Sequence, residues 1–309
     1  EVIGLNVVKY ALKRKDASRM KFSTLTKEEL IKSYEEKQPH LEWGQALAGE
    51  TRHLLDWYYG INLSRAFTES IKKGTNQFKV LSAGRVQAPA LHLLAGREAK
   101  IQAFKPEPYW EIYLHGHSKG IDFDAYHKEE KVFDKEKATS IVEKTQGKNG
   151  VIKDIQKRQF KQAVPTPFDL TSLQMEANNM FGITPKRTLE IAQNLYVNGL
   201  TSYPRTSSQK LPQSLNLKKI LNELKKQESY APRVQKVYEV NPQVKPNEGK
   251  KTDPAHPAIY PTGQVPEKLQ QQEAKIYDLI VKRFFAVFGK PAVRETNTVT
   301  VEIVEEPFI

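Results

Sequence analysis

A tyrosine and an arginine stand two positions apart in a polar run that covers residues 199–208. The phenol of Tyr203 can act as a covalent nucleophile once its proton is removed, and the guanidinium of Arg205 can hold the phosphate that it attacks. Hydroxyl side chains lie on both sides of this pair. The run is therefore suited to phosphodiester chemistry, although a buried or strand tyrosine followed by a proline turn fits the same residues.

A helix is predicted directly before this run. Within residues 185–198 the apolar side chains Leu189, Ile191 and Leu195 have helical spacing, and Gly199 fits a helix-ending position. Tyr203 is therefore expected just past a rigid element, where the chain can present it to a cleft.

A second candidate region is the run of residues 81–91, which contains Arg85 and Gln87 at a predicted helix start. Exposed amides, the helix dipole and a cationic side chain together can form a phosphate-binding corner. A capped helix with a solvated arginine fits the same residues.

Two further positions have both a functional and a structural interpretation. Arg52 and Asp56 are spaced i and i+4, so they share one helix face. They form either a surface ion pair or an arginine that contacts a nucleic-acid phosphate beside an aspartate that orients it or contacts a base. His256 lies among three prolines, where it could contact a phosphate, move a proton or have a structural role.

No metal or thiol site is predicted. His115 and His117, like Asp122 and Asp124, have strand spacing but no further ligands nearby, so they are interpreted as solvated strand positions. The chain has no cysteine, which excludes disulfides, thiolate catalysis and cysteine-ligated zinc.

The composition favours a polyanionic partner. The 309 residues include 48 Lys and Arg against 36 Asp and Glu, a net charge of +12. The isoelectric point is near 9.5, which favours nucleic acid over a membrane because no basic amphipathic helix stands out. The length permits two or more domains, and no run approaches the roughly 18 apolar residues of a membrane span.

Hydrophobic patterning places helices on both sides of strands. A short strand is predicted at residues 20–22, and Thr26 with Glu29 forms a capping box that opens a helix. Helices are predicted within 41–103, strands within 104–164, helices from 165, an amphipathic helix over 266–288 and a final strand over 293–304. Strands thus bracket the helical block that holds Tyr203.

Taken in order, five segments resemble the type IA DNA topoisomerases, particularly their archaeal and topoisomerase III-like branch. These segments are residues 1–4, 82–87, 165–174, 202–206 and 256–259. The resemblance implies a multidomain α+β protein, the toroidal type IA core with helical domains and a β arch. It implies a remnant of the Toprim domain at 1–40, a helical DNA-binding domain at 41–103, the first pass of the β arch at 104–164, the catalytic-tyrosine domain at 165–263 and a return to the arch at 264–309.

The resemblance also implies the role of each candidate residue. Tyr203 corresponds to the nucleophile that forms a phosphotyrosine link to the 5′ end of the cut strand, and Arg205 to the arginine that steadies the scissile phosphate. The expected DNA contacts are Arg52, Asp56, Arg85, Gln87, Thr206 and His256. Ser207 stands where bacterial members often have an aspartate, which leaves the role of that position open.

The implied activity is transient cleavage of one DNA strand, passage of another through the break and religation without ATP. Single-stranded DNA is the expected partner, and the protein is expected to be monomeric and to act at the nucleoid in the cytoplasm. Magnesium is expected in the full-length enzyme with its ligands absent from this chain, because Glu1 would lie just past the acidic cluster of the Toprim domain. The chain is thus expected to be a fragment, weak or inactive alone. The topoisomerase half of a reverse gyrase and a non-catalytic single-strand-binding module are the alternatives.

Overall fold

The computed structural model describes residues 2–309, and the expected role of Glu1 lies outside the described residues. In chain order, the elements are α1 (Val2–Asn6), a π-helical turn (Val7–Ala11), α2 (Lys27–Glu35), α3 (Trp43–Thr75), α4 (Gln87–Gln102), β1 (Tyr113–Ser118), β2 (Ile121–Tyr126), α5 (Lys135–Thr145), β3 (Val151–Gln162), α6 (Leu170–Phe181), α7 (Pro185–Val197), α8 (Leu217–Lys225), α9 (Ala231–Val240), α10 (Gln271–Ala286), β4 (Ala292–Ile303) and β5 (Glu306–Phe308). The content is mixed helix and sheet, which agrees with the predicted α+β class.

The chain divides into two compact units. The first, here the tyrosine unit, comprises Leu5–Glu42 and Lys161–Arg294. The second, here the arginine unit, comprises residues 2–4, Trp43–Phe160 and Glu295–Ile309. Tyr203 belongs to the first unit, and Arg52 and Arg85 belong to the second.

The tyrosine unit is built around one large apolar core. On α8 the buried side chains Ile220 and Leu224 are one helical turn apart, so a single face points inward. The long helix α10 contributes seven buried residues. Asp169 caps the start of α6, and Gly182, with φ of 66°, ends it. These helices bury Phe168, Leu173, Ile191, Leu195, Leu221, Val234, Ile276, Ile280 and Phe288 together.

The arginine unit has a smaller core and more uncovered surface. Strands β1 and β2 form an antiparallel hairpin in which His115 faces Asp124. A three-stranded sheet has the order β3–β4–β5, and β4 and β5 pair antiparallel. The buried residues here are Ile112, Ala125, Val132, Ala138, Ile141, Val301, Ile303 and Phe308.

Helices α3 and α4 contribute almost nothing to that core. The 33 residues of α3 bury only Ala46, and α4 buries none. Large side chains such as Trp57 and Leu94 are 59% and 68% exposed. Across residues 2–309, every helix is either too short or too polar to cross a membrane.

Most predicted elements are confirmed, with two corrections. Helices α3, α4, α7 and α10 lie within the ranges predicted for them, and strand β4 begins and ends one residue before the predicted strand. The strand predicted at residues 20–22 is replaced by a single bridge from Arg19 to Gln38. Thr26 caps α2 as predicted, but the carboxylate of Glu29 accepts hydrogen bonds from Ser23 N and the Thr24 hydroxyl, so it stabilises the loop before the helix.

Candidate active site

The helix α7 delivers the tyrosine-bearing run. Thr184 caps its first turn by accepting a hydrogen bond from Arg187 N, and Pro185 occupies the first helical position. The chain leaves the helix at Gly199, whose φ of 72° is the left-handed conformation that glycine adopts without strain. The helix end predicted at Gly199 is confirmed.

The tyrosine-bearing run is held along a second segment of the tyrosine unit. Ser202 N donates to the Tyr260 carbonyl at 2.9 Å, and Thr262 N donates to the Leu200 carbonyl at 3.0 Å. The fully buried hydroxyl of Ser202 donates to the Ala258 carbonyl (3.1 Å) and accepts from Tyr260 N (3.0 Å). Because these buried polar groups satisfy one another, the backbone before Tyr203 is fixed.

The Tyr203 side chain is half-buried between two other rings. Its ring centroid lies 4.5 Å from that of His256 and 5.2 Å from that of Tyr196, the latter edge-on. The Tyr203 amide donates to the Ser23 carbonyl at 3.0 Å. The ring is therefore confined from two sides, while part of the side chain stays open to solvent.

His256 is held through its backbone and keeps one unused ring nitrogen. Its carbonyl accepts a hydrogen bond from the Thr206 hydroxyl at 3.1 Å, and its amide donates to Asp253 at 3.1 Å. Its Nδ1 is buried with no hydrogen-bond partner among residues 2–309. Burial lowers the pKa of His256, an effect that the nearby Asp253 opposes and Lys21 reinforces. The imidazole is accordingly neutral at neutral pH.

Arg205 and Thr206, which follow Tyr203 and Pro204, have opposite environments. Arg205 is exposed and makes no hydrogen bond or ion pair with the part of the chain that the structure describes, so its guanidinium can bind an incoming phosphate. Thr206 is buried, and its hydroxyl donates to His256 and accepts from Ser208 N. The Thr206 hydroxyl therefore joins the tyrosine-bearing run to residues 253–262, here called the histidine segment.

A cleft of about 1010 Å³ opens beside His256 within the tyrosine unit. His256 and Asp253 form part of its wall. Its basic side chains are Arg19, Lys21, Lys27, Lys32, Lys210 and Lys219. Acidic side chains also line it, and one of them, Glu28, pairs with Lys219. The cleft wall therefore mixes basic and acidic side chains beside His256.

The arginine unit carries the second group of predicted site residues. Arg85 Nε lies 2.6 Å from Asp56 Oδ1, and Arg52 Nε lies 3.8 Å from Asp56 Oδ2. The hydrogen bond from Arg85 lowers the pKa of Asp56, desolvation opposes it, and the charges of Arg85 and Arg52 lower the pKa further. All three side chains are exposed, so phosphates can reach both guanidinium groups.

Gln87 begins α4, as the predicted helix start requires. Its Oε1 accepts a long hydrogen bond from the Ser82 hydroxyl at 3.5 Å. Arg52, Asp56, Arg85 and Gln87 therefore share one exposed region of the arginine unit, and Tyr203, Thr206 and His256 share one site in the tyrosine unit.

The described residues offer no site suited to a divalent metal. Within residues 2–309, no group of three or more acidic, histidine or cysteine side chains could hold a metal ion. The two histidine and aspartate pairs of β1 and β2 bind each other across the hairpin, at 2.6 Å in both cases. Magnesium therefore does not fit the residues present.

Sequence reasoning missed Tyr196 and Asp253. Tyr196 was not selected because its contact with Tyr203 depends on how the chain leaves α7. Asp253 had a usable signal, since aspartate followed by proline favours a turn in which the carboxylate binds the amides after it.

Comparisons with known proteins give matches to DNA topoisomerases. The family model described as DNA topoisomerase matches residues 40–309. The chain is 46% identical to DNA topoisomerase 1 of Pyrococcus horikoshii over 97% of its own length and 44% of the relative's. It is 32% identical to DNA topoisomerase 3 of Bacillus subtilis over its whole length and 42% of that protein.

A solved structure is also similar to this chain. Full-length topoisomerase I from Thermotoga maritima matches with a TM-score of 0.68 and 25% identity, over 94% of this chain and 47% of that one. The chain thus spans less than half the length of each of these relatives.

Proposed function

Because this chain belongs to the type IA DNA topoisomerases, we propose that Tyr203 is the nucleophile of a DNA strand-cleavage reaction. The observation that carries the proposal is the setting of Tyr203: its ring is confined by His256 and Tyr196, and its backbone is fixed by buried Ser202. The next charged residue along the chain, Arg205, is exposed and unpaired within residues 2–309. A rigid nucleophile beside a free cation is the arrangement that attack on a phosphodiester requires.

The proposed step exchanges one phosphodiester bond for another. The phenolic oxygen of Tyr203 loses its proton and attacks the phosphorus, and the bond from phosphorus to the 3′ oxygen breaks. The departing 3′ oxygen takes up a proton, and the phosphate stays on Tyr203 through its 5′ side. Attack by the 3′ hydroxyl reverses the step, so religation needs no ATP, because the phosphotyrosine conserves the bond energy.

Arg205 and His256 have separate tasks in this proposal. The Arg205 guanidinium neutralises the charge that builds on the phosphate oxygens in the transition state. His256, neutral in the DNA-free protein, contacts a neighbouring phosphate, and the phosphate charge favours protonation of the imidazole on binding. The hydrogen bond from the Thr206 hydroxyl holds the tyrosine-bearing run against the histidine segment.

The exposed side chains of the arginine unit complete the proposed DNA contacts. Arg52, Arg85 and Gln87 bind backbone phosphates, and Asp56 orients the two guanidinium groups. We infer that the substrate is single-stranded at the cut, that the protein acts as a monomer at the nucleoid and that the complete enzyme has the toroidal arrangement of its family. The five-segment domain division stays a prediction.

Magnesium enters this proposal only as an expectation from the family. Since no group of side chains among residues 2–309 is suited to hold it, the steps above use the chain's own residues alone.

The decisive experiment uses a DNA strand with sulfur in place of the bridging 3′ oxygen at the cut. A thiolate leaves without a proton from a general acid, so cleavage reports on the nucleophile itself. We expect the chain to form a covalent DNA adduct that survives denaturation. Tyr203→Phe should form none, and Tyr34→Phe, which alters an exposed tyrosine, should form as much as the parent.

The other outcomes decide between the alternatives. Strand binding without an adduct would favour the non-catalytic binding module. An adduct that persists in Tyr203→Phe would assign the chemistry to another residue, and loss of both binding and adduct would overturn the nucleic-acid function.

A further inference from the structure

Asp253 uses its whole carboxylate to join two segments of the site. Its Oδ1 accepts hydrogen bonds from Ala255 N (2.8 Å) and His256 N (3.1 Å). Its Oδ2 accepts from Ser207 N (3.3 Å) and from the Ser207 hydroxyl (3.1 Å). Two of these bonds close the turn and two cross to the tyrosine-bearing run, and the charge of an ionised carboxylate strengthens each of them.

The two oxygens act on different parts of the site. Oδ1 closes the turn that carries His256, in a segment stiffened by Pro254 and Pro257. Oδ2 reaches the residue that follows Arg205 and Thr206 in the tyrosine-bearing run. A further hydrogen bond, from the Thr206 hydroxyl to the His256 carbonyl, also joins the two segments.

We propose that Asp253 is a positioning residue for strand cleavage: it holds the tyrosine-bearing run and the histidine segment together, and so sets the His256 imidazole against the Tyr203 ring. The inference rests on the proposed function. The centroids of the two rings are 4.5 Å apart, in contact. A small displacement of either segment would change that contact and move the phosphate bound by His256 relative to the nucleophile.

The charge state of Asp253 is consistent with this role. Burial alone would raise its pKa, but the hydrogen bonds from Ala255, His256 and Ser207 together lower the pKa below its usual value. The carboxylate is therefore ionised at neutral pH, with its acceptor capacity directed at the two segments.

If Asp253 only stabilised the turn, its role would depend on Oδ1 alone. Asp253→Asn therefore distinguishes a residue that stabilises the turn from one that also links the two segments. The amide oxygen of asparagine can still accept from Ala255 and His256. Its NH₂ group, however, cannot accept from Ser207 N and can only donate to the Ser207 hydroxyl, so the link between the segments is weakened while the turn is kept.

A double variant that exchanges the carboxylate between positions 253 and 207 is a second test of the link between the two segments. In the double variant Asp253→Asn with Ser207→Asp, the carboxylate lies on the tyrosine-bearing run and the amide on the histidine segment. The amide can then donate to the carboxylate, and the connection is restored with the partners reversed.

The experiment measures adduct formation with the sulfur-containing strand, strand affinity and the NMR signals of the His256 ring in the full chain. For Asp253→Asn we expect adduct formation about 10- to 100-fold slower, since a displacement near 1 Å can have that effect. The affinity for the strand should stay within about twofold, and the His256 signals should shift. The double variant should regain at least about tenfold in rate and return the His256 signals toward the parent. Asp154→Asn makes the same chemical change at an exposed position of β3 and is the matched control.

The proposal is overturned if Asp253→Asn forms adduct at the parent rate with unchanged His256 signals. It is also overturned if affinity falls as far as rate, or if the double variant recovers nothing. If Asp253→Asn does not fold, Ser207→Ala takes its place, because it removes one of the four hydrogen bonds. It should also slow adduct formation and shift the His256 signals, but by less. Failure of the proposed function is separately visible, because the parent would then form no adduct while the His256 signals still report on Asp253.

Discussion

The two units of this chain present their candidate functional residues in different ways. In the tyrosine unit, Tyr203 and His256 lie on segments that buried hydrogen bonds join to each other, above a large apolar core. In the arginine unit, Arg52, Asp56 and Arg85 lie on or beside helices that bury one residue between them. The first group is held by packing and buried hydrogen bonds. The second is held by its place on or beside a helix, by an exposed ion pair and by hydrogen bonds from the segment before Arg85 to Ser64 and Thr68 of α3.

This difference corresponds to the tasks that we propose for the two regions. Attack on phosphorus needs atoms placed to within a fraction of an ångström, because misplacement lowers the rate steeply. A contact with a backbone phosphate needs mainly charge at the right distance and tolerates side-chain motion. Buried packing is found where we propose that geometry controls rate, and exposed cations where we propose that charge controls affinity.

The largest expected effect comes from the core of the tyrosine unit. Leu195 of α7 is fully buried, so Leu195→Ala should lower the free energy of unfolding by about 3 kcal/mol through lost burial and a cavity. Leu55→Ala, on the exposed face of α3, should change it by less than about 0.5 kcal/mol. Urea unfolding followed by circular dichroism measures both.

Tryptophan fluorescence supplies the control, because Trp43, Trp57 and Trp110 all lie in the arginine unit. We expect Leu195→Ala to shift the circular dichroism transition more than the fluorescence transition. Equal shifts would contradict the comparison, since the two units would then unfold as one.

A smaller effect is expected at the exposed arginines. Arg85→Ala should weaken binding of single-stranded DNA about fivefold and reduce its salt dependence by about one phosphate contact. It should leave the urea midpoint unchanged, because an exposed ion pair contributes little to stability. Titrations at several salt concentrations measure the first effect.

Arg97→Ala is the matched control, since Arg97 is also exposed but lies near the middle of α4, away from Asp56. If both variants weaken binding equally, Arg85 has no special part in the DNA contact and only the net charge matters.

The smallest expected effect is a dependence of stability on pH at His256. Because burial lowers its pKa below the ordinary value of 6.5, the unfolded chain binds more protons than the folded one between the two values. Stability should therefore rise with pH across that window and fall as the pH drops through it. Urea midpoints between about pH 5 and 8 should show a flatter profile for His256→Gln than for the parent.

His53→Gln, at an exposed position of α3, should keep the parent profile. A parent profile that His256→Gln leaves unaltered would show that the imidazole is not destabilised by burial in solution.

Local features of the molecule could be predicted from the sequence, and long-range pairings could not. The helix α7, its end at Gly199 and the cap at Thr26 depend on neighbouring residues, which helical spacing and capping preferences describe well. Glu29 was expected to complete a capping box, yet its carboxylate stabilises the loop at Ser23, because a nearby turn offered unpaired donors.

The candidate site illustrates the same limit. The i, i+4 spacing correctly predicted that Arg52 and Asp56 share a face, but the shorter contact of Asp56 is with Arg85, 29 residues away. The resemblance implied a DNA contact for His256 but not its ring contact with Tyr203, since no local pattern connects residues 53 positions apart. The hydrogen bonds between Asp253 and Ser207 join residues 46 positions apart, so no local sequence pattern predicts them.

The buried hydroxyl of Ser202 has a consequence for the order of folding. Its partner Tyr260 lies 58 residues further along the chain, and closing so long a loop is slow compared with forming α7. On a ribosome, the tyrosine-bearing run would leave the exit tunnel well before the segment that fixes it. Tyr203, the nucleophile that we propose, is thus expected to remain without its catalytic setting during synthesis, and so to be harmless to nearby DNA until that segment has docked.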